Sequence, residues 1–347
     1  MTRIICYAPL GVLLSLCAAP AFADHMGPSG FGSGGGMSVS GPDTLDAGHW
    51  AASARFVLTR PEQRTDAELE GLAAEHVHAH NTDYNLNAAL GVAYGVTHHL
   101  TLSAELPYVR RDGLREGEHS HDGGSALNEV VGLGNVSGIG DASVLAKYRL
   151  TEGEGAGFAL IGGIKLPTGS THRHSPDGER LETEHQPGTG SWDPILGASA
   201  SARVGGAQLV ASGLYQFSTT GAQETRLGDR FQGGLALSFR LSGAEPELHH
   251  DAGEAHHHHE HEEAEARSAS WDGFVEIAGE WEGRQKIGGA VEQESGGKWA
   301  YVAPGVRFNA VSGWSAAAAF ALPLWQRIRA SHPDNRYRLT LSIGRAF

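Results

Sequence analysis

The chain has 347 residues, with 26 Lys and Arg set against 40 Asp and Glu, and this formal charge of -14 excludes nucleic acid as a natural partner. Its two cysteines, Cys6 and Cys17, both lie near the start, so everything beyond residue 17 is without thiol or disulfide chemistry. The mean hydropathy of -0.27 is that of a soluble protein, yet a β-barrel hides its membrane character by alternation.

Residues 1–23 read as an export signal. Arg3 supplies the positive start, Ile4 to Cys17 the apolar stretch, and Ala21-Phe22-Ala23 a small-x-small cleavage site, so the mature chain is expected to begin near Asp24. After it, no apolar run is long enough for a spanning helix. Residues 24–46 are rich in Gly and Ser, as in Gly27-Pro28-Ser29-Gly30 and Gly34-Gly35-Gly36. That composition reads as a flexible N-terminal segment, with folding into the barrel mouth as the alternative.

From residue 47 onward the pattern predicts twelve strands: 47–60, 83–96, 99–110, 139–150, 156–167, 192–204, 207–218, 231–241, 271–282, 298–309, 313–327 and 335–347. Each is long enough to cross a tilted apolar band of about 25 Å. In the third, Leu100, Leu102, Ala104, Leu106 and Tyr108 share a face opposite Thr101, Ser103 and Glu105. In the eighth, Leu235, Leu237, Phe239 and Leu241 alternate with Ala236, Ser238 and Arg240. In the ninth, Trp271, Val275, Ile277 and Trp281 face away from Asp272, Glu276 and Glu280, with a Trp at each end where aromatic girdles belong. A water-soluble sandwich would bury such faces against each other. The export signal assigns them to lipid instead, which makes the expected fold class all-β: a transmembrane antiparallel β-barrel of about 12 strands, of bacterial outer-membrane type. An even count puts both termini on the periplasmic side.

The connections then alternate. Long outward loops are expected at 61–82, 111–138, 168–191, 219–230, 283–297 and 328–334, against tight inward turns such as Gly205-Gly206 and Ala310-Val311-Ser312. Residues 242–270 break the rule, because this inward connection is long. It carries His249, His250, His256, His257, His258, His259 and His261 among carboxylates. Imidazole with carboxylate suits Zn, Cu or Ni, bound weakly and in many registers, since the spacing is not that of a fixed tetrahedral site. A solvated, charged loop is the plainer reading. Further histidines sit on the outward loops: His76, His78 and His80, then His119 and His121, then His172, His174 and His185. Two or three such loops meeting over the mouth would bind a metal; polar loop filler is the alternative.

If the apolar faces meet lipid, the opposite faces line the lumen. Lys147, Arg149, Lys165 and Arg203 fall on consecutive strands, joined later by Arg240, Arg307 and Arg338. Glu105, Asp141, Asp193, Asp272, Glu276 and Glu280 supply the acids. A basic wall facing an acidic wall would select solutes by charge. The competing reading is that these charges pair and plug a narrow barrel. The last strand, Leu339 to Phe347, resembles the closing strand of an outer-membrane barrel, whose terminal aromatic addresses the barrel-assembly machinery. Arg345 stands on its apolar face and must snorkel or mark a bulge.

Three segments are similar, in this order, to one family. They are Gly138-Ile139-Gly140-Asp141 with Lys147-Tyr148-Arg149-Leu150, then Lys165-Leu166-Pro167-Thr168-Gly169, then Gly188-Thr189-Gly190-Ser191-Trp192-Asp193-Pro194. The chain from about residue 45 to 347 resembles the outer-membrane barrels named after the MetA pathway of phenol degradation. The resemblance implies a barrel and transport, some members being linked to uptake of aromatic compounds. No Gly-x-Ser-x-Gly and no phosphate-cradling loop is present, and no enzyme is expected. The expected function is passive passage of a small solute, aromatic or anionic, through a channel set in outer-membrane lipid. That channel requires no cofactor. The alternative is a metal-linked barrel whose His-rich loop binds or senses divalent ions.

Overall fold

The computed structural model describes residues 35–122, 125–153, 156–243 and 269–347. Twelve strands form the wall: β1 (Trp50–Pro61), β2 (Tyr84–Thr97), β3 (Leu100–Asp122), β4 (Ser143–Gly153), β5 (Ala156–Lys165), β6 (Asp193–Val204), β7 (Ala207–Gln216), β8 (Arg230–Ser242), β9 (Ser270–Glu282), β10 (Gly297–Asn309), β11 (Trp314–Ile328) and β12 (Asn335–Ala346). Each pairs antiparallel with its neighbours in chain order, and β1 pairs with β12, so no edge remains open. Closure is what lets a sheet cross lipid, because every backbone N–H and C=O in the wall then has a partner.

The long connection expected at 111–138 is a β-hairpin instead. β3 runs on to Asp122 and pairs there with a returning arm, Ser125–Ile139. The wall strand β4 therefore starts at Ser143, not near 139, and meets β3 only over its first residues, Leu100↔Tyr148 to Glu105↔Ser143. The exchange of partners falls at Pro107, which has no N–H to offer a ladder. Its carbonyl accepts from Gly140 N at 2.8 Å, where the chain crosses from arm to wall. A Cβ on Gly140 would meet Pro107 and the Pro187 carbonyl at 3.1 Å, so a side chain there would strain the crossing.

The arm helps to roof one end of the barrel. Helix α1 (Asp66–Ala74), in the connection expected as loop 61–82, begins with a reciprocal capping box between Thr65 and Glu68. It buries Leu69 and Ala73 against the arm. Leu114 of β3 and Leu133 and Val136 of the arm pack with Leu181 of the 166–192 connection.

The wall's two faces follow strand parity. Leu235, Leu237, Phe239 and Leu241 of β8 are exposed, while Ala236 and Ser238 between them are buried. Val275 and Ile277 of β9 are exposed, while Glu276 and Glu280 are each only 2 % accessible. This inversion, with apolar groups outside and carboxylates inside, is stable only with lipid around the wall. Trp50, Trp271, Trp314 and Phe347 stand exposed at the end that carries the termini, and Trp192 and Trp325 toward the other. Arg345 is accommodated without a bulge, its guanidinium lying 5.7 Å from the centre of the Trp314 ring at the terminal end.

Candidate functional site

Inward positions on strands that are adjacent or face one another across the lumen place its charges within reach of one another. Glu280 of β9 takes a two-pronged ion pair from Arg338 of β12, at 2.6 and 3.1 Å. The Arg338 guanidinium also lies 4.6 Å over the ring of Tyr301, whose hydroxyl accepts from Asn335. Asp272 meets Arg240 at 2.5 Å and Asn309 at 2.8 Å. Glu105 meets Arg55 at 3.5 Å, and Arg230 meets Glu282 at 3.2 Å. Acids and bases thus alternate as short pairs around the lumen, where the sequence invited two opposed walls. Pairing prevails because an isolated charge in so narrow a space would lose its hydration without compensation.

Lys165 holds the segments that carried the family resemblance. Its Nζ reaches Asp141 at 2.7 Å and Asp193 at 3.1 Å, and donates to the Thr189 hydroxyl and to Ser191. Asp141 in turn accepts from the Gly169 and Thr189 backbone N–H groups at 3.0 and 2.8 Å. The lysine therefore knots together Asp141, Lys165 and the 189–193 segment, with 141 and 165 lying 24 residues apart, as do 165 and 189. The 166–192 connection is folded back on itself so closely that a Cβ on Gly188 would sit 2.5 Å from the Gly169 backbone.

Three more of the predicted lumen residues face a segment from outside the wall. Residues 35–46 run through the barrel near the terminal end as an inner strap. Arg307 donates to the Gly35 carbonyl at 2.6 Å, and Lys147 to the Gly41 carbonyl at 2.8 Å. Glu276 accepts from Ser38 N at 3.0 Å and from Ser38 Oγ at 3.1 Å. Ser40 N donates to Ser212 and Leu45 N to Thr101. Val39 packs against Val210 and Ala236. Small residues are required here: a Cβ on Gly36 would lie 1.9 Å from the Glu276 carboxylate. Of the two readings open for 24–46, the described part takes the one inside the barrel. The other two predicted residues lie at the terminal rim. Arg149 is half-buried and donates to the Thr151 carbonyl, and Arg203 is exposed.

At the opposite end, histidines from separate connections converge. His80 sits on the short strand Ala79–Asn81, opposite Glu116 of β3. His185 closes the turn Thr183–His185 and is buried, as are His80 and Glu184. Glu184 Oε1 lies 3.9 Å from His80 Nδ1 and 3.8 Å from His185 Nε2. Glu116 Oε2 is 3.7 Å from His185 Nε2, and His332 Nδ1 is 2.8 Å from His80 Nε2. The hydrogen bond to Glu116 raises the His78 imidazole to about 9, since it favours the charged ring. Burial pushes the Glu116 carboxyl up, but the His185 and His78 imidazoles beside it prevail and hold it well below the usual range. Other loop histidines stay apart from this cluster: His76 meets His119 edge to face, and His172 and His174 are exposed. His332 and Arg111, whose guanidinium donates to the His185 carbonyl at 2.7 Å, carried no sequence signal, being isolated in their own segments. The tract from His249 to His261 lies outside the described residues, as does the export signal at 1–23.

Residues 51–249 match the family described as "Putative MetA-pathway of phenol degradation". No curated protein matches the sequence. Among solved structures, an outer membrane channel from Pseudomonas putida F1 is similar at 16% identity, with a TM-score of 0.56, covering 88% of this chain and 97% of that one. The β domain of a Bordetella autotransporter, BrkA, matches at 10% identity and a TM-score of 0.43, covering 87% of this chain and 100% of its own. A mutant of the monoaromatic hydrocarbon channel TodX matches at 10% identity and a TM-score of 0.42, covering 91% of this chain and 98% of its own. At these identities the first likeness concerns the fold, and the latter two superpose only loosely.

Proposed function

The chain belongs to the family of barrels named for the MetA pathway of phenol degradation, and from that premise we propose that it is a passive outer-membrane channel for a small solute, shut here by its own N-terminal strap. One observation carries this reading. What lies in the lower lumen is a Gly- and Ser-rich segment outside the wall, held mainly by hydrogen bonds with wall residues through its backbone and serines. A barrel meant only as a scaffold has its interior filled by large side chains of the wall itself. Hydrogen bonds exchange readily for water, so the apolar surface exposed when the strap leaves is confined to what Met37 and Val39 cover.

Beyond the strap is a chamber with a mixed lining. Pro107, Val109, Pro187 and Leu227 offer apolar surface, and Asn87, Asp141, Lys165, Asp193, Gln216 and Arg230 offer polar and charged contacts of both signs. A solute with a compact apolar body and one polar or anionic group suits that lining, and a phenol-like aromatic is such a molecule. Lys165 and Arg230 are already paired with acids, so selection by net charge is weak and a neutral solute passes too.

The test is planar-bilayer conductance of the mature chain beside a variant lacking residues 24–45. The full chain is expected to be closed most of the time. The deletion variant should open for long periods and pass phenol into liposomes faster than the full chain does. A deletion variant that folds, as judged by heat-modifiable migration, yet conducts no better would remove the channel reading.

A further inference from the structure

We propose that His80, Glu184 and His185 form a divalent-metal site of the zinc class, which joins the connections over the outer mouth. Their ligand atoms all lie within 4.8 Å of one another, and all three residues are buried. Two imidazoles and a carboxylate are the donor set that a zinc-like ion prefers. Bonds of about 2.0–2.1 Å around a tetrahedral ion leave ligand atoms roughly 3.4 Å apart. The existing separations of 3.9 and 3.8 Å from Glu184 Oε1 to the two imidazoles are close to that spacing. A contraction of about half an ångström would bring these two separations to it, and the two imidazole nitrogens lie within 4.8 Å of each other.

The surroundings are those of a site whose ligands are aimed. His332 Nδ1, at 2.8 Å from His80 Nε2, fixes the ring so that His80 Nδ1 faces Glu184. Gln285 donates to the second Glu184 oxygen at 2.8 Å, which leaves Oε1 turned toward the imidazoles. Partners of this kind, which orient the ligands, are as characteristic of metal sites as the ligands themselves. Glu116, with Oε2 at 3.7 Å from His185 Nε2, stands nearest to the fourth position. The group draws on the 62–83 and 166–192 connections for its ligands and on 283–296 and 329–334 for its orienting contacts. One ion would therefore tie four connections together across the mouth. None of its ligands belongs to the tract at 249–261.

The experiment uses the mature chain and a variant lacking 249–263, so that the tract cannot supply the signal. Zinc chloride is titrated by calorimetry, cobalt chloride is followed by its visible absorption, and loop protection is read by hydrogen exchange. The variant should bind one ion per chain with the cobalt spectrum of a four-coordinate nitrogen and oxygen site, and zinc should slow exchange in both 62–83 and 166–192. His80→Ala and His185→Ala should each abolish the four-coordinate spectrum, and His332→Gln, which keeps every ligand, should weaken binding by about 10-fold or more. Absence of binding in the tract-less variant, or binding unchanged in His80→Ala, His185→Ala and His332→Gln, would overturn the site. None of these readouts depends on conductance, so their failure would leave the channel reading as it stands.

Discussion

Glu276 is the strap's main wall contact, and its removal gives a graded test of gating. The carboxylate accepts two bonds from Ser38, to N at 3.0 Å and to Oγ at 3.1 Å, and is 2 % accessible. When the strap leaves, water replaces both bonds, so only the net value of each counts, about 1.5 kcal/mol for a bond to a charged group. Glu276→Gln keeps one acceptor and turns the other into a donor. Glu276→Ala removes both. At about 1.4 kcal/mol per factor of ten, the ratio of closed to open states should fall by roughly tenfold in the first variant and roughly a hundredfold in the second. Single-channel recording of refolded protein reads that ratio as open probability, and thermal melting in detergent confirms that the barrel is intact. Folded Glu276→Ala channels whose open probability stays within about twofold of the parent would refute the inference that these bonds hold the strap shut.

Arg338→Met should destabilise the barrel by about 3–5 kcal/mol in denaturant unfolding from micelles, because it strands the buried Glu280 carboxylate. Adding Glu280→Gln should recover most of that loss; a double variant no better than the single would mean that the cation–π contact with Tyr301, not the ion pair, was lost. Helix α1 should show an acid-sensitive cap. The Thr65 backbone and hydroxyl hydrogen bonds hold the Glu68 carboxyl below its usual range. With the folded value depressed, its stabilisation is complete above the unfolded value of about 4.3 and is lost as pH falls through the lower folded value. Exchange protection of the first helical turn, corrected for intrinsic rates, should follow that course in the parent and be flat in Glu68→Gln.

The twelve wall strands were legible in the sequence because a strand's side-chain period is local and strict. Leu235-Ala236-Leu237-Ser238-Phe239 declares which face meets lipid whatever the partner strand is. The family segments were legible for a related reason. Asp141, Lys165, Thr189 and Asp193 recur as short local patterns, although nothing in those patterns says that one lysine binds all the others. The 111–138 connection was misjudged because Gly113, Gly117, Gly132 and Gly134 break its apolar alternation, so that an arm supported by the roof looks like a loop.

The sequence by itself determined the class of fold and the even strand number, since alternation and strand length depend only on neighbours along the chain. Tertiary structure alone decided which charges would pair. Arg338 and Glu280 lie 58 residues apart and meet because strand tilt and closure bring β12 and β9 to one level of the lumen. It also decided that residues 35–46 thread the barrel, since a Gly- and Ser-rich segment fits a solvated leader as well as a strap until Ser212, Glu276 and Lys147 present partners. His80, His185 and His332 share one buried cluster for the same reason: contacts between distant connections are set by how the barrel closes, and no local period records that.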